Sequence, residues 1–233
     1  MRALPTWPPL LLSLLLLTAP GGGQGWWRLP DRYKPWTPLD LADPPGPLTR
    51  IKLARLERDP AACVQALQSA GWSLRLLPDR QPAPGCSLTD AVQISRTALR
   101  PGASFALSCR AALSLALWER HVVQPAAVEL LGQPATGLQH AGSYACRNVY
   151  GRAEGRRSRH ATADALDVTG FILADGRRIS VRRDWGGPGQ EAAFLHRAQR
   201  GACRVFDGAL GPDYNAAHAD HLHLERGGWR VCR

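Results

Sequence analysis

The chain has 233 residues, 45% of them hydrophobic, and a formal net charge of +10 that comes almost entirely from arginine. This length accommodates one domain of ordinary size with a leader and excludes two large domains. The positive charge predicts attraction to anionic surfaces, but no nucleic-acid module or aromatic interleaving accompanies the arginines, so no nucleic-acid partner is expected.

The amino-terminal residues have the composition of a targeting segment. Residues 1–23 combine Arg2, an apolar run over 10–17 and small residues after it, which predicts a signal peptide or an N-terminal anchor. The apolar run is short for a membrane span, and membrane contact is expected only through this segment if it stays uncleaved. Residues 24–47 predict a Pro/Trp-rich linker arm partly held by its aromatic residues, and the folded domain is expected over 48–233.

Patterning over the folded domain predicts helices early in the chain and strands later. Helical spacing of apolar residues marks 49–58, 61–70, 105–122, 125–131 and 191–199. Strands or extended segments are expected at 72–77, 91–99, 137–149 and 221–225. The Asp175-Gly176 turn between 165–173 and 177–184 predicts a hairpin. The expected fold is therefore α+β, with N-terminal helices packed on a small antiparallel sheet.

Six cysteines follow the leader, and none forms a C-x-x-C pair, which argues against a zinc ribbon or a thioredoxin-type motif. Behind a signal peptide, an even number of widely spaced cysteines predicts up to three disulfides in an oxidising compartment. The expected location is therefore exported, in the periplasm or cell envelope. Closeness in sequence suggests a pair between Cys203 and Cys232, and the remaining cysteines are Cys63, Cys86, Cys109 and Cys146.

Two short stretches, SRHATADALD and HADHLHLE, carry the residues of a candidate metal site. Asp167 opens a predicted strand, alternation places His221 and His223 on one face of another strand, and His160 lies on the loop before the first. His160, Asp167 and His223 are therefore predicted to bind one Zn²⁺. Three protein ligands leave a fourth position open for water, which is typical of catalytic zinc and favours hydrolysis.

Further polar residues near these stretches are candidates for catalysis and substrate binding. Asp220, three residues before the last ligand, is a candidate general base, and His221 is a candidate for binding or stabilising an oxyanion. Arg147 is a candidate clamp on the carbonyl oxygen or on a substrate carboxylate. Ser158 and His218 are candidates for outer-shell or substrate contacts.

Each of these motifs also has an ordinary structural explanation. A single His-x-His is commonly incidental, Arg147 can form a surface salt bridge, and Ser158 can serve only as a turn residue. A solvated surface cluster can explain Arg152, Arg156, Arg157 and Arg159. Three histidines within six residues, in a chain that has seven, favour a metal site over these explanations.

The pattern S-x-H-x-x-G-x-A-x-D, followed later by a carboxylate or a His shortly before a ligand His, resembles the zinc D,D-peptidase superfamily. Ser158, His160, Ala165 and Asp167 match it directly, whereas Ala163 stands where the motif has glycine. The chain more closely resembles the bacterial extensin-like protein C-terminal domain family. The stretches that carry this resemblance are KPWTPLDLADPPGPLTRIKL, GSYACRN, HATADALDVTGF, RRDW, AAFLHRAQRGACRVFDGALGP and HADHLHLE. The resemblance implies a hedgehog/D,D-peptidase-like fold with a single zinc site, and hydrolysis of cell-wall peptides.

Three hypotheses about function follow. The leading one is an exported zinc metallopeptidase that hydrolyses peptide bonds in peptidoglycan stem peptides or crosslinks, as an endopeptidase or a carboxypeptidase. The alternative is a non-catalytic zinc-containing cell-wall binding domain, which predicts metal and wall affinity without cleavage. The third, a disulfide-rich protein without metal, predicts that chelation changes nothing. Asp220 and His221 favour the peptidase, because a degenerate hydrolase often loses its non-ligand catalytic groups first.

Overall fold

A computed structural model describes residues 29–233, so the predicted signal peptide or anchor and the first residues of the predicted arm lie outside this part of the chain. Between residues 29 and 233, no helix has the length and apolar character needed to cross a bilayer. The helices are α1 (Thr49–Leu56), α2 (Pro60–Ser69), α3 (Cys109–Trp118), α4 (Gln124–Leu131), α5 (Val181–Asp184) and α6 (Gln190–Ala202). The strands are β1 (Ser73–Leu76), β2 (Arg80–Ala83), β3 (Cys86–Leu88), β4 (Ala91–Arg96), β5 (Arg100–Pro101), β6 (Phe105–Ser108), β7 (Ala135–Gly142), β8 (Ala165–Leu173), β9 (Arg178–Ser180), β10 (Gly208–Leu210), β11 (Leu222–Glu225) and β12 (Val231–Cys232).

The expected α+β class is confirmed, but the sheet is larger than predicted and is mixed. Seven of the described strands form one sheet in the order β12-β10-β11-β8-β7-β5, with β9 also paired to β8. Its edge strands β5 and β12 run parallel to their neighbours, whereas the other pairs are antiparallel. Two smaller sheets contain β1-β4-β6 and β2-β3. Each edge strand of the main sheet has only two residues, which is too short to show the alternation that would have predicted it.

The predicted helix over 105–122 is wrong at its start. Phe105–Ser108 is strand β6, which pairs with β4 and buries Phe105 and Leu107 with Ala106 between them only partly buried. Ser108 then caps α3, because its Oγ accepts the backbone N–H of Ala111 at 3.4 Å. After Trp118 the chain continues through a π-helical turn, Glu119–Val123, directly into α4.

Most of the other predicted elements are present, with shifted ends. The hairpin at Asp175-Gly176 is confirmed, with β8 and β9 as its arms, but its second arm ends at Ser180, where α5 begins. The extended segment predicted to reach residue 149 ends at Gly142, whose φ of 140° interrupts the strand. Strand β11 begins one residue later than expected, at Leu222.

Three large aromatic side chains join the helices to one face of the main sheet. Phe171 of β8 packs against Trp118 of α3 and Phe194 of α6, with ring centroids 5.9 Å and 5.1 Å apart. The indole N–H of Trp118 also donates to the Ala198 carbonyl of α6 at 2.8 Å. The packing is therefore not limited to N-terminal helices as predicted, because the late helix α6 covers the same core.

A bulge in β8 changes which of its residues face this core. His140 of β7 pairs with Val168, and the preceding residue of β7 pairs with Gly170, so Thr169 is an extra residue in β8. The residues of β8 that are buried in the core are Leu166, Val168, Phe171 and Leu173, two before the bulge and two after it. Asp167 therefore projects away from the core although it has the same parity as Phe171.

The segment before α1 is held against the domain. Lys52 is only 4% exposed, and its ammonium donates to the Asp31 carbonyl at 2.7 Å and to Thr37 Oγ1 at 2.8 Å. Leu41 is buried in the core, whereas Trp36 is 64% exposed. In this part of the predicted arm, the main anchors are therefore a buried lysine and a leucine.

All six cysteines form disulfides in the described chain. The pairs are Cys63–Cys109, Cys86–Cys146 and Cys203–Cys232, and the last of these confirms the predicted pair. Three disulfides indicate an oxidising environment outside the cytoplasm. The Cys86–Cys146 bridge ties β3 to the loop that follows β7, and this loop forms one wall of the site described below.

Glu119 is a fully buried carboxyl group in the π-helical turn. Its Oε1 accepts a hydrogen bond from Thr97 Oγ1 at 2.8 Å, while its Oε2 has no partner among the described residues. Burial outweighs this hydrogen bond and raises the pKa of Glu119 from 4.5 to about 8. Between pH 4.5 and about 8, Glu119 is therefore protonated in the folded chain and ionised in the unfolded chain. Because folding must take up this proton, the free energy of unfolding falls as the pH rises through this range.

We expect this pH dependence to disappear in a Glu119→Gln variant, whose side chain does not titrate. Relative to that variant, the unfolding free energy of the wild type should fall by roughly 3 kcal/mol between about pH 4.5 and 7. Urea denaturation at several pH values measures this difference. The exposed Glu154→Gln variant should run parallel to the wild type, and parallel curves for the wild type and Glu119→Gln would contradict the prediction.

Candidate functional site

A short capped turn brings His160 to the start of β8. Ser158 Oγ accepts the His160 backbone N–H at 3.3 Å and begins a 3₁₀ helix over Arg159–Thr162. The helix ends at Ala163, whose φ of 53° lies in the left-handed region that glycine adopts without strain. Alanine in this conformation costs about 1 kcal/mol. The turn is nevertheless formed, with the Ala163 side chain buried against Leu88.

The register of two neighbouring strands places Asp167 opposite His223. Strands β8 and β11 are antiparallel, and these two residues are paired directly. Leu222 and Leu224 are buried in the core, so His223 between them projects from the opposite face of the sheet. The Asp167 and His223 side chains therefore meet on that face.

The three predicted metal ligands lie together, with Asp167 and His223 lining a cleft and His160 buried beside them. His160 Nε2 is 3.1 Å from Asp167 Oδ2, His223 Nδ1 is 2.8 Å from Asp167 Oδ1, and these two imidazole nitrogens are 3.2 Å apart. Two atoms bound to one tetrahedral zinc lie about 3.3 Å apart. The two imidazole nitrogens and the Asp167 carboxylate oxygen nearest to each are therefore almost as far apart as a shared ion requires.

Each candidate histidine ligand has a separate acceptor for its second ring nitrogen. His160 Nδ1 lies 2.8 Å from the Ser143 carbonyl oxygen, which can only accept a hydrogen bond, so Nδ1 carries the hydrogen. His223 Nε2 lies 3.0 Å from Glu225 Oε2. Each imidazole therefore directs its other nitrogen toward Asp167, and such outer acceptors are typical of protein zinc sites. The chemistry and orientation of the three donors fit Zn²⁺.

The electrostatics of this cluster favour a cation between its carboxylates. Burial lowers the pKa of His223, but hydrogen bonds and the charges of Asp167 and Glu225 outweigh burial and raise it to about 9. Burial acts against ionisation of Asp167, yet hydrogen bonds from His160 and His223 hold its pKa well below its usual range. A metal bound here would replace the proton on His223.

A second set of histidines overlaps with the first. His218, His221 and His223 also have ring nitrogens within 4.8 Å of one another. His218 Nδ1 lies 2.8 Å from Asn215 Oδ1, and its pKa is lowered to about 4 by burial and by the charges of His223 and His221. Because both nitrogens of His223 already face carboxylates, the set that contains Asp167 is the better-formed metal site.

His221 stands beside the cluster, with Asp220 behind it. His221 Nε2 is 3.5 Å from Asp167 Oδ1, and its Nδ1 is 2.9 Å from Asp220 Oδ1. The Asp220 side chain is 58% exposed, and it is His221 rather than Asp220 that lines the cleft. His221 therefore presents a titratable atom to the cleft, while Asp220 orients its ring.

Arg147 and Ser158 lie together on one wall of the cleft. Arg147 Nη2 is 4.0 Å from Asp167 Oδ2. The adjacent Cys146 is bridged to Cys86. The Arg147 carbonyl oxygen accepts a hydrogen bond from the Ser158 backbone N–H at 3.0 Å. Both side chains line the cleft, whose volume is about 390 Å³. Two further arginines, Arg156 and Arg159, also line the cleft. Three exposed aromatic residues line it as well: Tyr150, Tyr214 and Trp229.

Three residues that support the cluster were not identified from the sequence. Glu225 could have been, because alternation in HLHLE places it on the same face as His223. Ser143 contributes only a backbone carbonyl, for which a sequence has no signal. Asp164 is buried and accepts hydrogen bonds from Ser108 at 2.5 Å and from Arg110 Nε at 2.7 Å, so it holds the turn between two of the candidate ligands.

The Glu225 carboxylate is confined by two glycines. A Cβ added at Gly228 or Gly208 would collide with the Glu225 side chain. We therefore expect Gly228→Ala to move the carboxylate away from His223 and to weaken zinc binding. Glu225→Gln, which keeps an acceptor but removes the charge, should lower zinc affinity by about 10–100-fold.

Competition with a chromophoric chelator measures these affinities. Gly186→Ala is the matched control for the added methyl group, since its Cβ would meet no atom within 4 Å. Nitrogen chemical shifts of the His223 ring report the tautomer directly. Unchanged zinc affinity in both Glu225→Gln and Gly228→Ala would show that this contact does not support the site.

The comparisons with known proteins agree with the closer of the two resemblances seen in the sequence. The family described as the C-terminus of extensin-like proteins matches residues 61–233. No curated protein and no solved structure matches the chain significantly. The match spans most of the chain and contains every residue of the histidine and aspartate cluster. The chain therefore belongs to the extensin-like protein C-terminus family.

Proposed function

We propose that this protein is an exported zinc-dependent peptidase that hydrolyses peptide bonds in peptidoglycan stem peptides or crosslinks. The observation that carries the proposal is the convergence of His160 Nε2, Asp167 Oδ and His223 Nδ1 beside an open cleft, which Asp167 and His223 line. Both imidazoles are turned toward the shared position by acceptors on their other nitrogens. A purely structural histidine cluster would not need an open cleft beside it.

His160, Asp167 and His223 would hold the zinc. When bound, zinc polarises a carbonyl and brings the pKa of water toward neutrality, which is the chemistry that amide hydrolysis requires. This ligand set has two imidazoles and one carboxylate and leaves a coordination position free, as in catalytic rather than structural sites.

The neighbouring residues supply proton transfer and charge stabilisation. His221 Nε2 lies in the cleft 3.5 Å from Asp167 Oδ1 and takes or gives a proton there, with Asp220 holding the ring through Nδ1. This assignment differs from the one expected from sequence, in which Asp220 was the general base. Here His221 transfers the proton and Asp220 only orients its ring. Arg147 faces the same position and stabilises negative charge that develops on the carbonyl oxygen.

The location and charge of the protein are consistent with this substrate. Three disulfides require an oxidising compartment, and we place the protein in the periplasm or cell envelope. The net charge of +10 favours association with an anionic wall polymer. The substrate and the site therefore meet in the same compartment.

The test is digestion of purified peptidoglycan by the oxidised protein, with products identified by mass spectrometry. Zinc-loaded wild type should release peptide products, and chelated wild type and the double variant His160→Ala/His223→Ala should not. Stoichiometric zinc without product would favour the non-catalytic wall-binding domain. Absence of zinc binding would refute the proposal.

A further inference from the structure

The loop between β7 and β8 carries five arginines, and they have different roles. Arg157 is structural, because its Nε donates to the Pro84 carbonyl at 3.1 Å and its Nη1 to Asn148 Oδ1 at 3.1 Å. The Arg152 guanidinium lies over the Tyr150 ring, 5.6 Å from its centroid. The remaining three line the cleft: Arg147, Arg156 and Arg159.

The positive charges on this wall are not balanced within the described chain. Arg147 comes no closer than 4.0 Å to Asp167, and among residues 29–233 neither Arg156 nor Arg159 has a carboxylate oxygen within that distance. The carboxylates that line the cleft, Asp167 and Glu225, are both hydrogen-bonded to His223. Guanidinium groups stay charged at every physiological pH, so an incoming anion is the partner that this wall lacks.

The arginine wall is rigid before any ligand arrives. Cys146 is bridged to Cys86, and Asn148 Nδ2 donates to the Arg152 and Ala153 carbonyls at 2.9 Å and 3.0 Å. The Val149 N–H donates across the loop to the Arg156 carbonyl at 3.0 Å. Because the backbone is already ordered, binding an anion here costs little loop entropy.

We propose that Arg156 and Arg159 form a subsite for a free carboxylate of the peptide substrate, distinct from the scissile bond that Arg147 faces. The inference rests on the proposed function, since the subsite and the histidine cluster share one cleft. A planar carboxylate matches the paired N–H donors of guanidinium, and a peptide that reaches the histidines can present one. The subsite therefore selects acidic peptides over the same peptides with amidated carboxylates.

The test compares a synthetic stem peptide that has free carboxylates with the same peptide after these groups are amidated. The zinc-loaded full chain is used, with a His221→Ala background to measure binding by calorimetry without turnover. Amidation should weaken binding by about tenfold or more, as expected for hydrogen bonds to a charged group. Arg156→Gln should weaken binding of the acidic peptide about tenfold and leave the amidated peptide unaffected.

Arg182→Gln is the matched control, because Arg182 is exposed and lies outside the cleft. Equal affinities for the two peptides would overturn the subsite, as would equal effects of Arg156→Gln and Arg182→Gln. Displacement of the acidic peptide by an equal concentration of inorganic phosphate would overturn its assignment to carboxylate.

Cleavage by the wild type, measured in parallel, separates this inference from the proposed function. Selective binding of the acidic peptide without cleavage of either would support the subsite and refute the peptidase. Equal cleavage of both peptides, with equal KM, would support the peptidase and refute the subsite.

Discussion

An Asp167→Asn variant should lose tight zinc binding, with affinity reduced by more than the roughly 100-fold upper end seen for loss of an outer contact. Asp167 is the only one of the three candidate ligands that carries a negative charge, and its two oxygens face His160 and His223. Asparagine has nearly the same side-chain volume as aspartate and keeps one hydrogen-bond acceptor, so the fold should survive. The negative charge that faces both imidazoles is lost.

Thermal and chemical denaturation with and without zinc checks this expectation. At a zinc concentration about 100 times its dissociation constant, the wild type should be stabilised by about 2.7 kcal/mol. The same zinc concentration should not stabilise Asp167→Asn. Asp175→Asn makes the same chemical change at the turn of the β8–β9 hairpin and should keep the full stabilisation. An equal zinc-dependent shift in wild type and Asp167→Asn would exclude Asp167 as a ligand.

A His221→Ala variant should retain zinc and lose about 10²–10³ in kcat, the usual cost of removing one group that stabilises the transition state. The reason is geometric, because His221 Nε2 reaches the ligand cluster while its Nδ1 is held by Asp220. Kinetics on the peptide bond identified by peptidoglycan digestion, together with metal analysis of the same samples, provides the measurement.

Asp220→Asn distinguishes the two possible roles of these neighbours. If Asp220 only orients the His221 ring, the asparagine variant should lose much less kcat than His221→Ala, because the amide oxygen still accepts from Nδ1. A loss in Asp220→Asn as large as that in His221→Ala would restore Asp220 as the general base expected from sequence.

The central part of the site could be predicted from sequence because it depends on strand alternation. Asp167 alternates with Leu166 and Val168, and His223 alternates with Leu222 and Leu224, so local spacing indicates the face that each occupies. The outer acceptor of His160 could not be predicted, since the Ser143 carbonyl reaches it from a separate segment through the backbone. Glu225 belongs to the same alternating segment, HLHLE, and is on the same face as His223. From sequence, roles in this segment are predicted only for the histidines and Asp220.

The fold was predicted less completely than the site. The helical periodicity after Ser108 extends by chance into Phe105–Ser108, although Ser108 itself is a recognisable helix cap. The two-residue strands β5 and β12 have no period, and their parallel pairing depends on contacts distant in sequence. Residue patterning along the chain therefore indicated the α+β class, whereas the size of the sheet and the direction of its strands required the three-dimensional structure.

The extra residue at Thr169 divides β8 into two parts that can change independently. Before the bulge, the even-numbered residues of β8 face the core and Asp167 faces away from it. After the bulge, the odd-numbered residues Phe171 and Leu173 face the core. Substitutions in the second part can alter stability without moving the aspartate. Deleting Thr169 would instead restore simple alternation, with Leu166, Val168, Phe171 and Leu173 on one face of the strand and Asp167 still on the other. In this family, absence of this one residue should therefore be compatible with the same core and the same position of the aspartate.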